Sequence, residues 1–218
     1  MKDILTIEDG VLTACSEGAV DVVIPEGVTE IGESAFSELD KLNSVVIPDS
    51  VIQIAPFAFE ESKSLKTVVI GKDVTDIGDS AFNCCDSLES IEIPAGVERI
   101  WENTFRGCYS LKSVVISETV KEIGCGAFQA CTSLKSVVIP RCVKKIGLGA
   151  FHSCESLESV EISNGIELIF GAFISCKSLK NVKFSGTVEA WRKIEKSDDW
   201  CKDSPVTFVQ CSDGIVNI

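Results

Sequence analysis

Hydrophobic residues recur along this chain with a period of 23. A triplet of the form V-x-I, apolar at its first and third positions, starts at Val22, Val45, Val68, Ile91, Val114, Val137 and Val160, and a final step of 22 leads to Val182. Alternation predicts a short strand whose first and third side chains face one way and whose second faces the other. The fixed period predicts that the strands lie side by side as parallel neighbours, about 4.8 Å apart, one in each coil of a solenoid.

One sentence describes the units: V-x-I-P-x-x-V-x-x-I-G-x-x-A-F-x-x-C-x-S-L-x-S. Each apolar letter is a column. One column starts Val28, Val51, Val74 and another Ile31, Ile54, Ile77; an aromatic column runs from Phe36 through Phe105 and Phe128 to Phe173, and a leucine column from Leu42 to Leu179. These columns predict interior ladders. About six such side chains per unit supply roughly 10 to 15 kcal/mol gross on burial. Ordering one unit costs roughly 1 to 2 kcal/mol for each residue. A single unit therefore cannot fold, and stacking must supply the difference.

Pro25, Pro48, Pro94 and Pro140 end the strand, because proline has no N–H for the ladder. The V-x-x-I portion predicts a second, shorter extended run, and A-F-x-x-C a single helical turn. Both ends depart from the pattern, as solenoid ends must. Residues 1–21 contain LTIEDGVLT, which predicts a capping hairpin turning at Asp9 and Gly10. The array proper spans 22–185, seven units and a truncated eighth. In 186–218, Thr187 opens an amphipathic helix with Val188, Trp191 and Ile194 on one face, and VTFVQC follows as a strand.

The recurring I-P-x-x-V-x-x-I-G-x-x-A-F-x-x-C-x-x-L resembles the bacterial BspA-like leucine-rich repeat over roughly residues 22 to 185. The position where better-known repeats carry Asn or Cys holds Gly27, Ser50, Asp73, Gly96, Thr119, Cys142 and Gly165, so no asparagine ladder forms. The resemblance implies an α/β solenoid, a leucine-rich repeat horseshoe with its parallel sheet on the concave face. It also implies adhesion or surface recognition, because similar repeats occur on bacterial surface proteins that engage host matrix proteins or other cells.

Charge and composition narrow the partners. A formal net charge of -13, with no basic run beyond Lys144 and Lys145, argues against nucleic acid. Asp3, Glu8 and Asp9 interrupt the apolar start, and no stretch approaches the roughly 20 apolar residues of a membrane span. The chain as written reads as cytoplasmic, against the surface or secreted location that the resemblance implies. Eleven cysteines without CxxC pairs suggest a reducing environment rather than a disulfide framework or zinc site. No cofactor or metal is expected.

Candidate chemistry is sparse. Cys85, Cys108, Cys131, Cys154 and Cys176 form a column that either packs or makes a thiol ladder. Neighbours about 4.8 Å apart exceed the mean Cβ separation of about 3.8 Å in disulfides, which favours packing. Cys201 and Cys211 are the remaining pair that a bridge would join. The single His152 has no predictable partner, so neither nucleophilic nor acid–base catalysis has a complete set of groups, and the chain reads as no enzyme. Where other units place Gly32, Gly78, Gly124 and Gly147, three have Ala55, Trp101 and Phe170. Positive φ is therefore not required there, and Trp101 and Phe170, with Phe57 nearby, are candidate outward aromatic contacts.

The second position of the triplet points away from the interior. This outward column runs Val23, Val46, Val69, Glu92, Val115, Val138, Glu161, Lys183, beside Ser44, Thr67, Ser90, Ser113, Ser136 and Ser159. Two readings fit. β-Branched residues suit a pleated surface and stack across strands, or the column is an apolar groove, rimmed by hydroxyls, for a protein or peptide partner. On the second reading Val46, Val69, Glu92, Val115, Val138 and Glu161 line the partner site. The expected function is protein binding on a cell surface, or alternatively an intracellular scaffold. A thiol or metal role is a third, lesser reading.

Overall fold

The computed structural model describes residues 4–218 and is a parallel-strand solenoid. Each coil opens with one strand of the V-x-I triplet: Asp21–Val23 in coil 1, then Ser44–Val46, Thr67–Val69, Ser90–Glu92, Ser113–Val115, Ser136–Ile139, Ser159–Ile162, and Asn181–Phe184 in coil 8. Register follows the sequence period, with Val22 opposite Val45, Val45 opposite Val68 and Val137 opposite Val160. A second ladder of two-residue strands runs from Glu30–Ile31 in coil 1 to Glu195–Lys196 in coil 8. The V-x-x-I columns place their isoleucines in this ladder, Ile31 opposite Ile54 and Ile123 opposite Ile146.

The interior columns are buried along their length, and the phenylalanine column is fully enclosed. Its rings stack with nearly parallel planes, at 4.7 Å between Phe36 and Phe59, widening to 5.4 Å between Phe82 and Phe105. Trp200 closes the stack by meeting Phe173 edge-on, 6.1 Å away at 90°. An edge-on ring ends the repetition while still covering the last apolar face.

The A-F-x-x-C segment is built of reverse turns rather than the expected helical turn. Two positions per coil take the left-handed conformation. One column holds Ser34, Phe57, Ser80, Asn103, Gly126, Gly149 and Gly171; the other holds Glu38, Glu61, Cys84, Gly107, Ala130, Ser153 and Ser175. A left-handed residue cannot continue a right-handed helix. It instead turns alternate N–H groups along the solenoid axis, and Ser80, Phe82 and Cys84 donate to Glu102, Thr104 and Arg106 of the next coil at 3.0, 2.9 and 2.7 Å. The turn side thus carries a third hydrogen-bonded ladder.

The cysteine column belongs to this ladder. Cys85, Cys108, Cys131, Cys154 and Cys176 are buried free thiols, and each Sγ donates to the carbonyl of the phenylalanine one coil back, at 3.1 to 3.3 Å. Ser62 at one end and Ser204 at the other place a hydroxyl on the same acceptor column, to Phe36 and Phe173. Leu39 occupies the column in coil 1. Burial pushes every one of these five thiols up from its ordinary pKa, that of Cys176 to about 12.

Both ends are closed by hairpins. Leu5–Glu8 and Val11–Cys15 pair antiparallel across Asp9 and Gly10, both at positive φ. At the other end Thr187 caps the helix Val188–Lys193 by accepting from the Ala190 N–H at 3.2 Å, and Trp191 is buried under it. Phe208–Cys211 extends the first ladder in parallel, and Gly214–Asn217, a strand beyond the expected VTFVQC, folds back antiparallel on it at Asp213-Gly214. Cys201 and Cys211 are buried free thiols without a bridge.

Candidate partner-binding face

Strand alternation inside each triplet decides which side chains remain outside. In coil 2, Val45 and Ile47 are buried while Val46 between them is exposed. The same alternation leaves Val23, Val69, Val115 and Val138 at 72%, 59%, 58% and 56% exposure. Register aligns them in three groups, with Val46 opposite Val69, Val115 opposite Glu92 and Val138 opposite Glu161, and the repeat period of 23 carries the row across the unpaired steps between them. The result is a row of apolar side chains along the solenoid axis with hydroxyls of Ser44, Thr67, Ser90, Ser113 and Ser136 beside it.

Charges interrupt this row in two different ways. Glu161 is paired with Lys183 of the next coil at 3.2 Å. Glu92, between Val69 and Val115, has neither a hydrogen bond nor an ion pair among the described residues. Lys72, at the edge of the face, is bound to Asp49 at 2.6 Å, which lowers the Asp49 pKa and raises that of Lys72. Asp21 accepts from Asn43 and Ser44, and these bonds hold its carboxyl below the usual range.

The aromatic candidates do not join the row. Phe57 is half-buried on the turn side at φ +59°. Trp101 is half-buried, with Nε1 donating to Asp76 at 2.7 Å and the Arg99 guanidinium 4.2 Å above its ring. Phe170 is half exposed, whereas Ala55 of the same column is buried, so that column does not simply project outward. The glycines between them are needed for closeness, not for φ. A Cβ on Gly78 would stand 2.6 Å from the Pro56 nitrogen, and one on Gly124 2.7 Å from the Trp101 carbonyl carbon.

His152 lies on the turn side, half-buried, its ring nitrogens 3.4 Å or more from the Ser153 hydroxyl. Cys125 and Cys142 are the exposed thiols. Neither stands on the valine row.

Sequence reasoning missed one feature of this face. Among the described residues the first strands of coils 3 and 4 form no paired ladder: Ile47 donates to Val69 at 2.9 Å and Ile93 to Val115 at 2.9 Å, but Ile70 makes no such bond to Glu92, and the Glu89 N–H that flanks the strand still reaches Lys66 at 3.1 Å; the first strands of coils 5 and 6 are likewise unpaired. The second ladder is open at the same boundary. Gly78 donates to Ile54 and Gly124 to Ile100, while Trp101 makes no bond to Ile77. Trp101 in a glycine column was the visible signal, although bulk alone does not account for it, since Phe170 keeps its bond to Ile146 at 3.1 Å.

No helix among the described residues is long and apolar enough to cross a membrane. A family model described as BspA type leucine rich repeat region, in six copies, matches residues 5–116 and 98–196. Among solved structures, the chain is similar to the T. pallidum leucine rich repeat protein TpLRR, with 31% identity, 80% of this chain and 72% of that chain covered, and a TM-score of 0.58. It shares the fold of the pneumococcal vaccine antigen PcpA, with 18% identity, 96% and 80% coverage, and a TM-score of 0.52. No curated protein matches the chain.

Proposed function

The chain belongs to the BspA-type leucine-rich repeat family, and from that premise we propose that it is a non-catalytic module whose valine face binds a segment of a protein partner at a bacterial cell surface. The observation that carries the reading is the outward row itself. Val46, Val69, Val115 and Val138 are exposed at the same position of successive first strands, each strand paired with at least one neighbour.

Sheet packing alone is a weaker explanation. Threonine has the same branch point and nearly the same volume, and would suit an exposed strand without presenting apolar surface to water. A row of valines supports a surface that is meant to be covered. Strands anchored on an interior of stacked aromatic rings also lose little freedom on binding, which limits the entropic cost. The family supports the surface location.

The test is a display library of random heptapeptides panned on the immobilised chain, with a Val69→Ser/Val115→Ser variant as comparison. Both residues are exposed, so the variant should melt within a few degrees of the parent. Selected peptides should bind the parent and lose about tenfold or more on the variant. Peptides that bind both proteins equally would place recognition elsewhere and defeat the proposal.

A further inference from the structure

The boundary between coils 3 and 4 is where both strand ladders are unpaired, with one bond from Glu89 to Lys66 left beside the first, while the turn ladder and the phenylalanine stack continue across it. Every other coil boundary keeps at least one strand ladder paired. Interior residues are uncovered at this boundary. Ile70 is the one member of its column, from Ile24 to Phe184, that is not buried, and Val68 beside it is also only half-buried. Together with Val69, Ser90, Glu92 and Pro94 they line a shallow hollow on the valine face.

The charges around this hollow are unequal. The ammonium of Lys72, on its rim, is held by Asp49 of the preceding coil at 2.6 Å. Glu161, the other carboxylate of the outward row, is held by Lys183. Glu92 alone in that row presents a carboxylate with no partner among the described residues, and it does so between two exposed valines and above an apolar floor.

We infer that this hollow receives a basic side chain, arginine or lysine, from an extended partner segment whose flanking residues are apolar; the inference rests on the valine face being a binding surface. Arginine and lysine carry an aliphatic stem below a charged head. The stem covers Val68, Ile70 and Pro94, and the head reaches the Glu92 carboxylate. Val69 and Val115, one coil to either side, take the apolar neighbours. A formal net charge of -13 on the chain adds a long-range attraction for a basic segment.

The experiment uses two heptapeptide pools, one with arginine fixed at the centre and one with glutamine, both with mixed Val, Leu and Ile flanks and solubilising Gly-Ser ends. Fluorescence anisotropy measures their affinity for the full chain, for Glu92→Gln and for Val69→Ser/Val115→Ser. The arginine pool should bind the parent about two- to fivefold more tightly than the glutamine pool, with the advantage shrinking as salt rises. Glu92→Gln should erase that preference and leave the glutamine pool unchanged, while Val69→Ser/Val115→Ser should weaken both pools. Equal binding of the two pools by the parent, or a preference that survives Glu92→Gln, overturns the assignment of a basic occupant but leaves the valine face as a binding surface. Failure of both pools to bind, or binding indifferent to the valine substitutions, overturns both.

Discussion

At the scale of single residues, the columns separate by chemistry as much as by burial. The cysteine column is small and apolar enough to pack, and it also places a donor on the phenylalanine carbonyl one coil back, which is why serine serves at Ser62 and Ser204. Cys131→Ser should therefore be more stable than Cys131→Ala by about 1 kcal/mol in urea unfolding; the reverse order would leave only a packing role. The buried thiols bind their protons more tightly when folded. Cys176 and Cys201, raised to about 12 and about 11, add stability that is complete below pH 9 and is lost as pH rises from 9 toward those values. A melting temperature that fell between pH 6 and 8 through thiol ionisation would contradict this. Phe128→Ala should cost roughly 3 to 5 kcal/mol, because the ring is fully enclosed between Phe105 and Phe151.

The burial columns were legible because each position repeats seven times, and repetition turns a weak local preference into a periodic one. The left-handed positions were not legible. Phe57, Cys84 and Glu61 occupy them where glycine would have announced the conformation, so the signal is split among residue types that normally avoid positive φ. The reverse error was open at Gly78 and Gly124, where glycine answers to a neighbouring backbone less than 3 Å from a would-be Cβ.

At the scale of elements, the strands are short and depend on their neighbours for hydrogen bonds. That makes pairing between coils the measurable quantity. Amides of Ile70 and Trp101, which find no partner in the adjacent coil, should exchange with deuterium faster than those of Ile47 and Gly124, which donate at 2.9 and 2.8 Å. Uniform protection along the array would mean that the boundary between coils 3 and 4 is closed in solution. The terminal elements follow simpler rules. Thr187 was readable as a cap from its place before an apolar face, and Asp9-Gly10 as a turn, and the same dipeptide, Asp213-Gly214, stands at the turn into the last strand Gly214–Asn217.

At the scale of the whole molecule, stability is a sum of coils and the interfaces between them, and function belongs to surfaces that run across many coils. The interior ladders, the turn ladder and the two end caps hold the coils together, and it is the valine row that presents apolar surface outward. Its existence was visible in the alternation of LKSVVI and its copies. Of the open boundary the sequence showed only Trp101 in a glycine column, and there a side-chain bond to Asp76 crosses between the coils in place of the backbone one.

The most direct test of the valine row as the binding surface is methyl NMR with valine labelling, titrated with a panned heptapeptide. Shifts concentrated on Val46, Val69, Val115 and Val138, with the interior Val51, Val74, Val120 and Val143 nearly still, are the predicted result. Shifts on the turn side near Leu148 and Phe170, with the outward valines unmoved, would contradict it.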